Sequence, residues 1–561
     1  MTHLLAISVG PVQEFIAAAR RTRDLWFGSH LLSEVSRAVA KEVEKQGGTL
    51  IFPDSSDADN VANVILAELK AAADPKEVAA KAKTAAQARW LEFAEEARRE
   101  ASGVIRTDIW NDQVQDVIEF YAAWATHTAK DKYKEDRARV MRLLAGRKNC
   151  RDFLPAKGRA GVPKSSLDGQ RESVLRPPSE WPARLRARLR VRKGEQLDVV
   201  GLVKRIAGGN QPYASVARVA ADPWVRGNQE RLGDVIAACR QLDNQVIRPL
   251  NTDAHPQFAA FGFEGTAVFT SRHHELEQET EVPPEQLRPL RNALAQLPEP
   301  EPYLAVLVAD GDRMGEALSR LISADAHRAF SQALAEFAGE ARKTVNTHNG
   351  VLIYAGGDDV LAFLPVDTCL DCARKLHDKF AELLKRYDSL TLSVGVAIGH
   401  FMENLEDLLE YGRAAEKHAK QQDRDGLAIH LHKRGGAPIP VRMKWTEKPD
   451  ERITRYAHLI LAESIPGKLP YDLRNLAKLY EDWPADTVTN AIWQDVIRVI
   501  RDKQPRSGRQ YMPEIEKALR ERIKDAASLH RFAAELLVAR QIATALRQAG
   551  ERLARATEAA S

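Results

Sequence analysis

Four carboxylates stand where a chain could do chemistry. Gly356-Gly357-Asp358-Asp359 separates two apolar runs, Val351–Tyr354 and Val360–Leu364, and Asp310-Gly311-Asp312 closes a third, Leu304–Ala309. A Gly-Asp tip alone is only a turn. Two adjacent strands of one sheet, however, would bring Asp310 close to that tip. Like charges packed within a few ångströms repel and raise one another's pKa. A divalent cation removes the penalty, since Mg²⁺ takes one or two carboxylates and fills its octahedron with water and phosphate oxygens. Two such ions about 4 Å apart can lower the pKa of an attacking hydroxyl and neutralise a leaving pyrophosphate. The glycines allow φ > 0 at the turn and leave room for a phosphate or base.

The elements that position these residues follow from the apolar patterning. Leu304–Ala309 reads as a strand, 314–346 as a helix, and 351–354 with 360–364 as a hairpin. Thr391–Ile398 is a further strand, Leu405–Lys420 an amphipathic helix and Leu427–Leu431 a last strand. With one strand over, residues 300–434 thus give β-α-β-β-α-β, the ferredoxin-like or split βαβ order. Gly435-Gly436-Ala437-Pro438 marks a boundary. The N-terminus repeats the opening of this pattern: a strand at Leu4–Val9, a break at Gly10-Pro11, a helix from Val12 to about Ala40, and strands at 49–52 and 61–66. About 40 residues separate the first strand's end from the hairpin in both places, so the two βαββ units read as a duplication, the first without the carboxylates. Residues 136–275 are mixed and basic, 281–302 form a Pro-rich linker around one short helix, and 450–561 are helical, with Trp493, Val496, Ile497 and Ile500 on one face.

At 561 residues the chain is expected to hold about three to five domains. A hydrophobic content of 44% with 29% charged residues excludes disorder. No stretch approaches the roughly 18–20 apolar residues that span a bilayer, so no membrane partner is expected. The N-terminus has neither a basic n-region nor a cleavage site, which makes the cytoplasm the expected compartment. Four cysteines are too few for a disulfide scaffold. The net charge of +4 and pI near 8.7 permit a nucleic-acid partner without requiring one. Arg184, Arg186, Arg188, Arg190 and Arg192 alternate with Leu185, Ala187, Leu189 and Val191. In a strand, that puts every arginine on one face, either a solvated sheet face or, through Arg186, Arg188 and Arg190, a track for an RNA backbone.

YAGGDDVLAFLP and LVADGDRMG resemble the palm domain of the large polymerase subunit of type III CRISPR effector complexes, a relative of GGDEF nucleotide cyclases. GPVQEFIAAARRTRDLWFGSHLLSEVSR, KSSLDGQRESVL and RKGEQLDVVGLVKR resemble the Cmr (type III-B) branch, and the likeness runs from Leu5 to about residue 480. It implies an α/β (α+β) chain of four parts: a degenerate palm-like ferredoxin-like domain at 1–135, a mixed, helical basic domain at 136–280, the GGDD palm at 281–434, and a C-terminal helical domain at 435–561. It also implies polymerisation of ATP into cyclic oligoadenylate messengers when the complex of Cmr-type subunits and guide RNA binds target RNA, with two Mg²⁺ or Mn²⁺ ions. The family's metal ligands fall on Asp310, Asp358 and Asp359, and Gly311, Gly356 and Gly357 border the nucleotide. Asp312 either helps position the metal or caps the following helix. Lys420 matches a lysine facing triphosphate, against a plain helix-end lysine. Ser393 and Gly395 either admit a nucleobase or serve packing. The Gly10-Pro11-Val12-Gln13 turn, with Arg20, Arg21 and Arg23 after it, would lie across from the active site of the second palm and could hold the acceptor nucleotide, or could be a solvated helix start.

Two departures stand out. This branch often carries an HD nuclease, yet only His3 and His30 precede His127, and His377-Asp378 is expected on a helix surface, so no DNA cleavage by this chain is expected. Zinc is not expected either: Cys150 stands alone, and Cys369 and Cys372 have no second pair. A cyclic dinucleotide synthase of GGDEF type and a non-catalytic scaffold are the alternatives; Asp359 where such cyclases carry Glu argues against the first, and retention of all three carboxylates against the second.

Overall fold

The protein is described by a computed structural model covering residues 2–57, 60–150, 158–209, 213–387, 390–483, 485–502 and 519–550. Its N-terminal sheet holds β1 (Thr2–Gly10), β2 (Gly48–Phe52), β3 (Val64–Leu69) and β4 (Glu119–His127) in the order β2-β3-β1-β4, every neighbour antiparallel. Helices Thr22–Lys45 and Pro75–Glu100 are its crossovers. The helix expected from Val12 is broken. A short helix, Gln13–Ala17, precedes residues 18–21, and the long helix starts only at Thr22. The break has two causes. The buried Lys204 ammonium takes the carbonyls of Phe15 and Ala18, and the Asp24 carboxylate accepts the amides of Arg20 (3.3 Å) and Arg21 (3.2 Å), fixing the start of the helix.

The second sheet contains β5 (Tyr303–Gly311), β6 (Val351–Gly356), β7 (Asp359–Leu364), β8 (Leu392–His400), β9 (Gly426–Leu431) and β10 (Ile439–Lys444), in the order β10-β9-β8-β5-β7-β6. Its β6-β7-β5-β8 portion repeats the N-terminal order strand for strand. The second crossover of this unit is the helix Cys369–Leu383, not Leu405–Lys420 as the sequence pattern suggested. Cys369, Cys372, Ala373, Leu376 and Phe380 recur at helical spacing and are all buried. Leu405–Lys420 instead joins β8 to β9, which pair in parallel. β10 lies antiparallel to β9, carrying the sheet past the boundary expected at Gly435.

Residues 136–280 divide their packing. Val174, Trp181, Leu197 and Leu202 join the core of the N-terminal palm. Trp224, Phe258 and Phe261 share a core with Val306, Val351 and Phe363 on one face of the second sheet. On the opposite face, a core shared with Leu307, Ala362 and Val394 continues into the C-terminal helices Pro449–Leu461, Leu469–Leu479 and Ala526–Gln548. The two palms touch directly. The Asn60 amide donates to the Ala355 carbonyl (3.0 Å), and the Arg328 guanidinium donates to the Leu50 carbonyl (2.8 Å). No described helix is long and apolar enough to cross a membrane.

Candidate active site

β5 pairs with β7 from Ala305↔Leu364 to Ala309↔Val360. This register brings the end of β5 level with the β6–β7 turn, so Asp310 faces Asp358 and Asp359. One carboxylate oxygen from each lies within 4.8 Å of the others, all three residues are half-buried, and among the described residues this is the one cluster of three or more His, Cys, Asp or Glu able to share an ion. Two glycines make the approach possible. Gly357 turns with φ +79°, and a Cβ on Gly311 would come within 2.8 Å of the Asp358 Cβ.

Burial, then the charge of Asp359, pushes the Asp358 carboxyl up to about 7. Burial pushes Asp359 up to about 6. Lys420 on the neighbouring helix forms an ion pair with Asp310 and lies 3.2 Å from Glu416. Burial, then Arg424, lowers its ammonium to about 8. Glu416 is itself pushed up to about 7 by burial and by Asp359 and Asp312. An all-oxygen donor set, short of positive charge and with one member already held by an ammonium, suits a hard divalent ion such as Mg²⁺ or Mn²⁺.

Asp312 takes no part in that cluster, nor does it cap a helix. It is fully buried and accepts from Thr391 Oγ1 (2.7 Å), Ser393 Oγ (2.9 and 3.0 Å) and the Asp425 amide (3.1 Å). It therefore ties β5 to β8 and to the loop before β9. The helix Met314–Arg320 begins instead at Arg313, in a left-handed conformation (φ 59°). Ser393 is fully buried and spends its hydroxyl on Asp312. Gly395 serves packing: a Cβ there would meet the Glu416 amide nitrogen at 2.0 Å.

A cavity of about 380 Å³ lies between the palms, bordered by Gly356 and Gly357 and by Tyr354, Leu334, Phe52 and Val61. Tyr354, whose phenol is pushed up by burial and by Asp359 and Asp358, lines this cavity close to the acids. Neither Tyr354 nor Glu416 was singled out from the sequence. The Glu416-Lys420 spacing of four on a helix was the available signal for the second.

Other expected site residues are placed differently. Gln13 and Arg20 are exposed. Arg23 is buried, its guanidinium donating to the carbonyls of Arg205 (2.8 Å), Ala207 (2.7 Å) and Gly209 (2.8 Å), so it clamps the chain rather than facing a nucleotide. The alternating arginines form no strand. Ala183–Leu189 is a helix, ended by Arg190 at φ 58°. A helical period separates the arginines: Arg186 is buried against the Trp181 carbonyl and Glu281 (3.0 Å), while Arg188 is exposed. His377 is not simply solvated either, since its ring lies tilted 4.6 Å from Trp445 and meets Asp425 at 3.0 Å, whereas Asp378 is exposed.

The family described as Cas10/Cmr2, second palm domain, matches residues 303–428, and that described as CRISPR-associated protein Cmr2, N-terminal, matches residues 4–109. A curated relative, the CRISPR system Cmr subunit Cmr2 of Pyrococcus furiosus, is 25% identical over 552 residues, covering 77% of this chain and 62% of its own length. The chain thus spans less than two thirds of that relative. Among solved structures, a chain of the type III-B Cmr-beta complex in its apo state superposes with a TM-score of 0.62 at 14% identity, covering 91% of this chain and 78% of that one. Cmr-beta bound to cognate target RNA gives 0.61 at 14% identity, covering 91% and 79%. At these identities the likeness establishes the fold.

Proposed function

Since the chain belongs to the Cas10/Cmr2 family, we propose that it is the nucleotidyltransferase subunit of a type III-B CRISPR ribonucleoprotein, joining ATP into cyclic oligoadenylate when target RNA is bound. The observation that carries this reading is the convergence of Asp310, Asp358 and Asp359 beside a cavity walled by both palms. In the reaction, the 3′-hydroxyl of one ATP attacks the α-phosphorus of another, a new P–O bond forms, and the bond to pyrophosphate breaks. Mg²⁺ or Mn²⁺, held by the three aspartates, would supply the positive charge that offsets the triphosphate and the leaving group.

The chain's own residues position the reactants. Lys420 presents its ammonium at Asp310, where a triphosphate would approach. Gly356 and Gly357 keep the turn open to the cavity, which Tyr354 also lines. The N-terminal palm provides the facing wall for a second nucleotide. Its partners in this reading are other Cmr-type subunits, guide RNA and target RNA, and its compartment is the cytoplasm. The test is to incubate the assembled complex with target RNA, Mg²⁺ or Mn²⁺ and each NTP in turn, and to weigh the products. Cyclic adenylate formed from ATP, and only with target RNA, is the expected result. A complex that binds target RNA but forms no phosphodiester product from any NTP refutes the proposal and favours a scaffold role.

A further inference from the structure

A second charged feature lies where the start of helix Thr22–Lys45 meets the segments around residues 190, 205 and 248. Arg205 is its buried centre, and its charge is spent. It donates to both oxygens of Asp24 (2.6 and 2.7 Å) and of Glu195 (2.9 and 3.0 Å). Its remaining bond goes to the Arg190 carbonyl (2.6 Å), which places Arg190 against it. Arg248 donates to the Ala187 carbonyl, three residues earlier, and Arg23 spans the carbonyls of Arg205 and Ala207. Arg21, Arg23, Arg190 and Arg248 therefore converge from three separate stretches of chain.

Their charge is only partly answered. Asp24 and Glu195 both bond Arg205, which cancels one of their two charges, and the other is shared with Arg21. Glu279 is paired with Arg192 (2.7 Å). Glu264, whose amide donates to the Arg248 carbonyl (3.0 Å), adds a further carboxylate, and burial pushes its carboxyl up. Burial, then Arg23, Arg248 and Arg21, lowers the Arg190 guanidinium to about 9. Burial, then Arg21, lowers Arg248 to about 10. Among the described residues, neither the Arg21 nor the Arg190 guanidinium donates a hydrogen bond. The Tyr213 hydroxyl beside them is buried without a partner, its ring 5.5 Å from the Arg23 guanidinium. Yet Arg21, Arg190, Arg248 and Tyr213 all keep some accessible surface, so solvent reaches each of them.

The Arg21 and Arg190 guanidinium groups, which donate no hydrogen bond and are repelled by their neighbours, cost folding energy unless a ligand brings the missing charge. Their planar forks match phosphate oxygens in geometry and in donor number. We propose that this arginine cluster binds a phosphate group, from either a polyphosphate tail or a nucleic-acid backbone, at a site sharing no residue with the Asp310–Asp358–Asp359 cluster.

The test uses the full chain in EDTA, titrated separately with tripolyphosphate by calorimetry and with a labelled single-stranded RNA lacking a 5′-phosphate by anisotropy. At least one probe should bind. Arg190→Gln and Arg21→Gln should each weaken it on the order of tenfold or more, and Asp358→Asn with Asp359→Asn should leave it unchanged. RNA binding that is weakened by the substitutions and displaced by tripolyphosphate identifies a backbone site. Tripolyphosphate binding alone identifies a polyphosphate-tail site. Without any anion, both arginine variants should melt at or above the wild-type temperature, because each removes a repelling charge. Binding of neither probe, wild-type affinity in both variants, or a lower melting temperature in both would overturn the assignment.

Discussion

Replacing Gly311 by alanine perturbs the geometry of the acidic cluster without touching its charge. The φ of Gly311 lies outside the left-handed region, so the backbone accepts alanine. The new Cβ would meet the Asp358 Cβ at 2.8 Å and the Met314 Cγ and Sδ at 2.9 Å. Ordinary contact begins at 3.4 Å, and Met314 can swing its flexible end aside. The Asp358 Cβ is fixed to the backbone of the turn, so the turn must retreat by about 0.6 Å. Overpacking of this kind costs about 1–3 kcal/mol, and a displacement of that size at a reacting centre costs roughly tenfold to 10²-fold in rate. The assay is Mn²⁺ affinity of the full chain together with product formation by the assembled complex. Gly350→Ala is the comparator. It sits at the opposite end of β6, where its Cβ would meet Leu364 Cδ2 at 2.6 Å and Val345 Cγ1 at 2.8 Å, and it should lower stability while sparing turnover per folded molecule. A Gly311→Ala protein that melts lower yet keeps wild-type Mn²⁺ affinity and turnover refutes the reasoning.

Asp358→Asn with Asp359→Asn should abolish product formation and leave the melting temperature at neutral pH unchanged or higher, because two crowded, half-buried charges disappear; Mn²⁺ should then stabilise the wild type and not the variant in thermal melts. Arg23→Gln should cost at least about 3 kcal/mol in urea unfolding, since three carbonyls lose a charged donor; a variant of unchanged stability with reduced turnover would restore a nucleotide role for Arg23. Burial alone would raise the Glu195 carboxyl, but the charge and hydrogen bonds of Arg205 more than offset this and hold it down at about 2, against an ordinary 4.5. A depressed carboxyl stabilises the fold above pH 4.5 and loses that contribution as pH falls toward 2, about 3 kcal/mol in all. Urea midpoints measured from pH 7 to pH 3 should therefore fall steeply below pH 4.5 in the wild type, and an equally steep fall in Glu195→Gln would contradict the assignment.

The acids and the hairpin were legible because their signal is local: two apolar runs, a tight glycine turn and a second strand ending in acid leave few arrangements. What the sequence concealed depends on contacts between distant segments. Arg184–Arg192 alternates like a strand, but Ala183, Arg186 and Leu189, the residues buried, recur every third position. One sequence satisfied both periods, and the Pro182 start with the left-handed stop at Arg190 decided for the helix. Asp312 reads as a metal ligand or cap from its spacing beside Asp310; only the arrival of Thr391, Ser393 and Asp425 turns it into a buried tie. Arg23 looks solvated beside Arg20 and Arg21, and its burial is set by carbonyls more than 180 residues away. The helix Cys369–Leu383 was visible as a helix, yet its place as the second crossover needed the strand order.

The duplicated palm explains why the three-acid cluster can belong to one side of the site alone. Where β5 ends in Asp310, β1 ends in Gly10-Pro11, with no acid at the matching place. The segment after β2, which corresponds to the GGDD turn, contributes Phe52, Asp54, Asn60 and Val61 to the cavity wall. Its Asn60 amide holds the Ala355 carbonyl just before the glycines, and Ser33 anchors it through the Val61 amide (2.8 Å). A second full set of three acids on this wall would add repulsion that no resident cation offsets, and each buried charge would demand its own partner. In the proposed reaction, a wall made mainly of apolar, amide and hydroxyl groups would supply shape and hydrogen bonds for a neutral aromatic base and sugar, while the facing wall would manage phosphate charge. Divergence of the first copy away from the three-acid cluster is therefore consistent with retention of its fold: the βαββ frame still sets the distance across the cavity, and in the proposed reaction the chemistry rests with Asp310, Asp358 and Asp359.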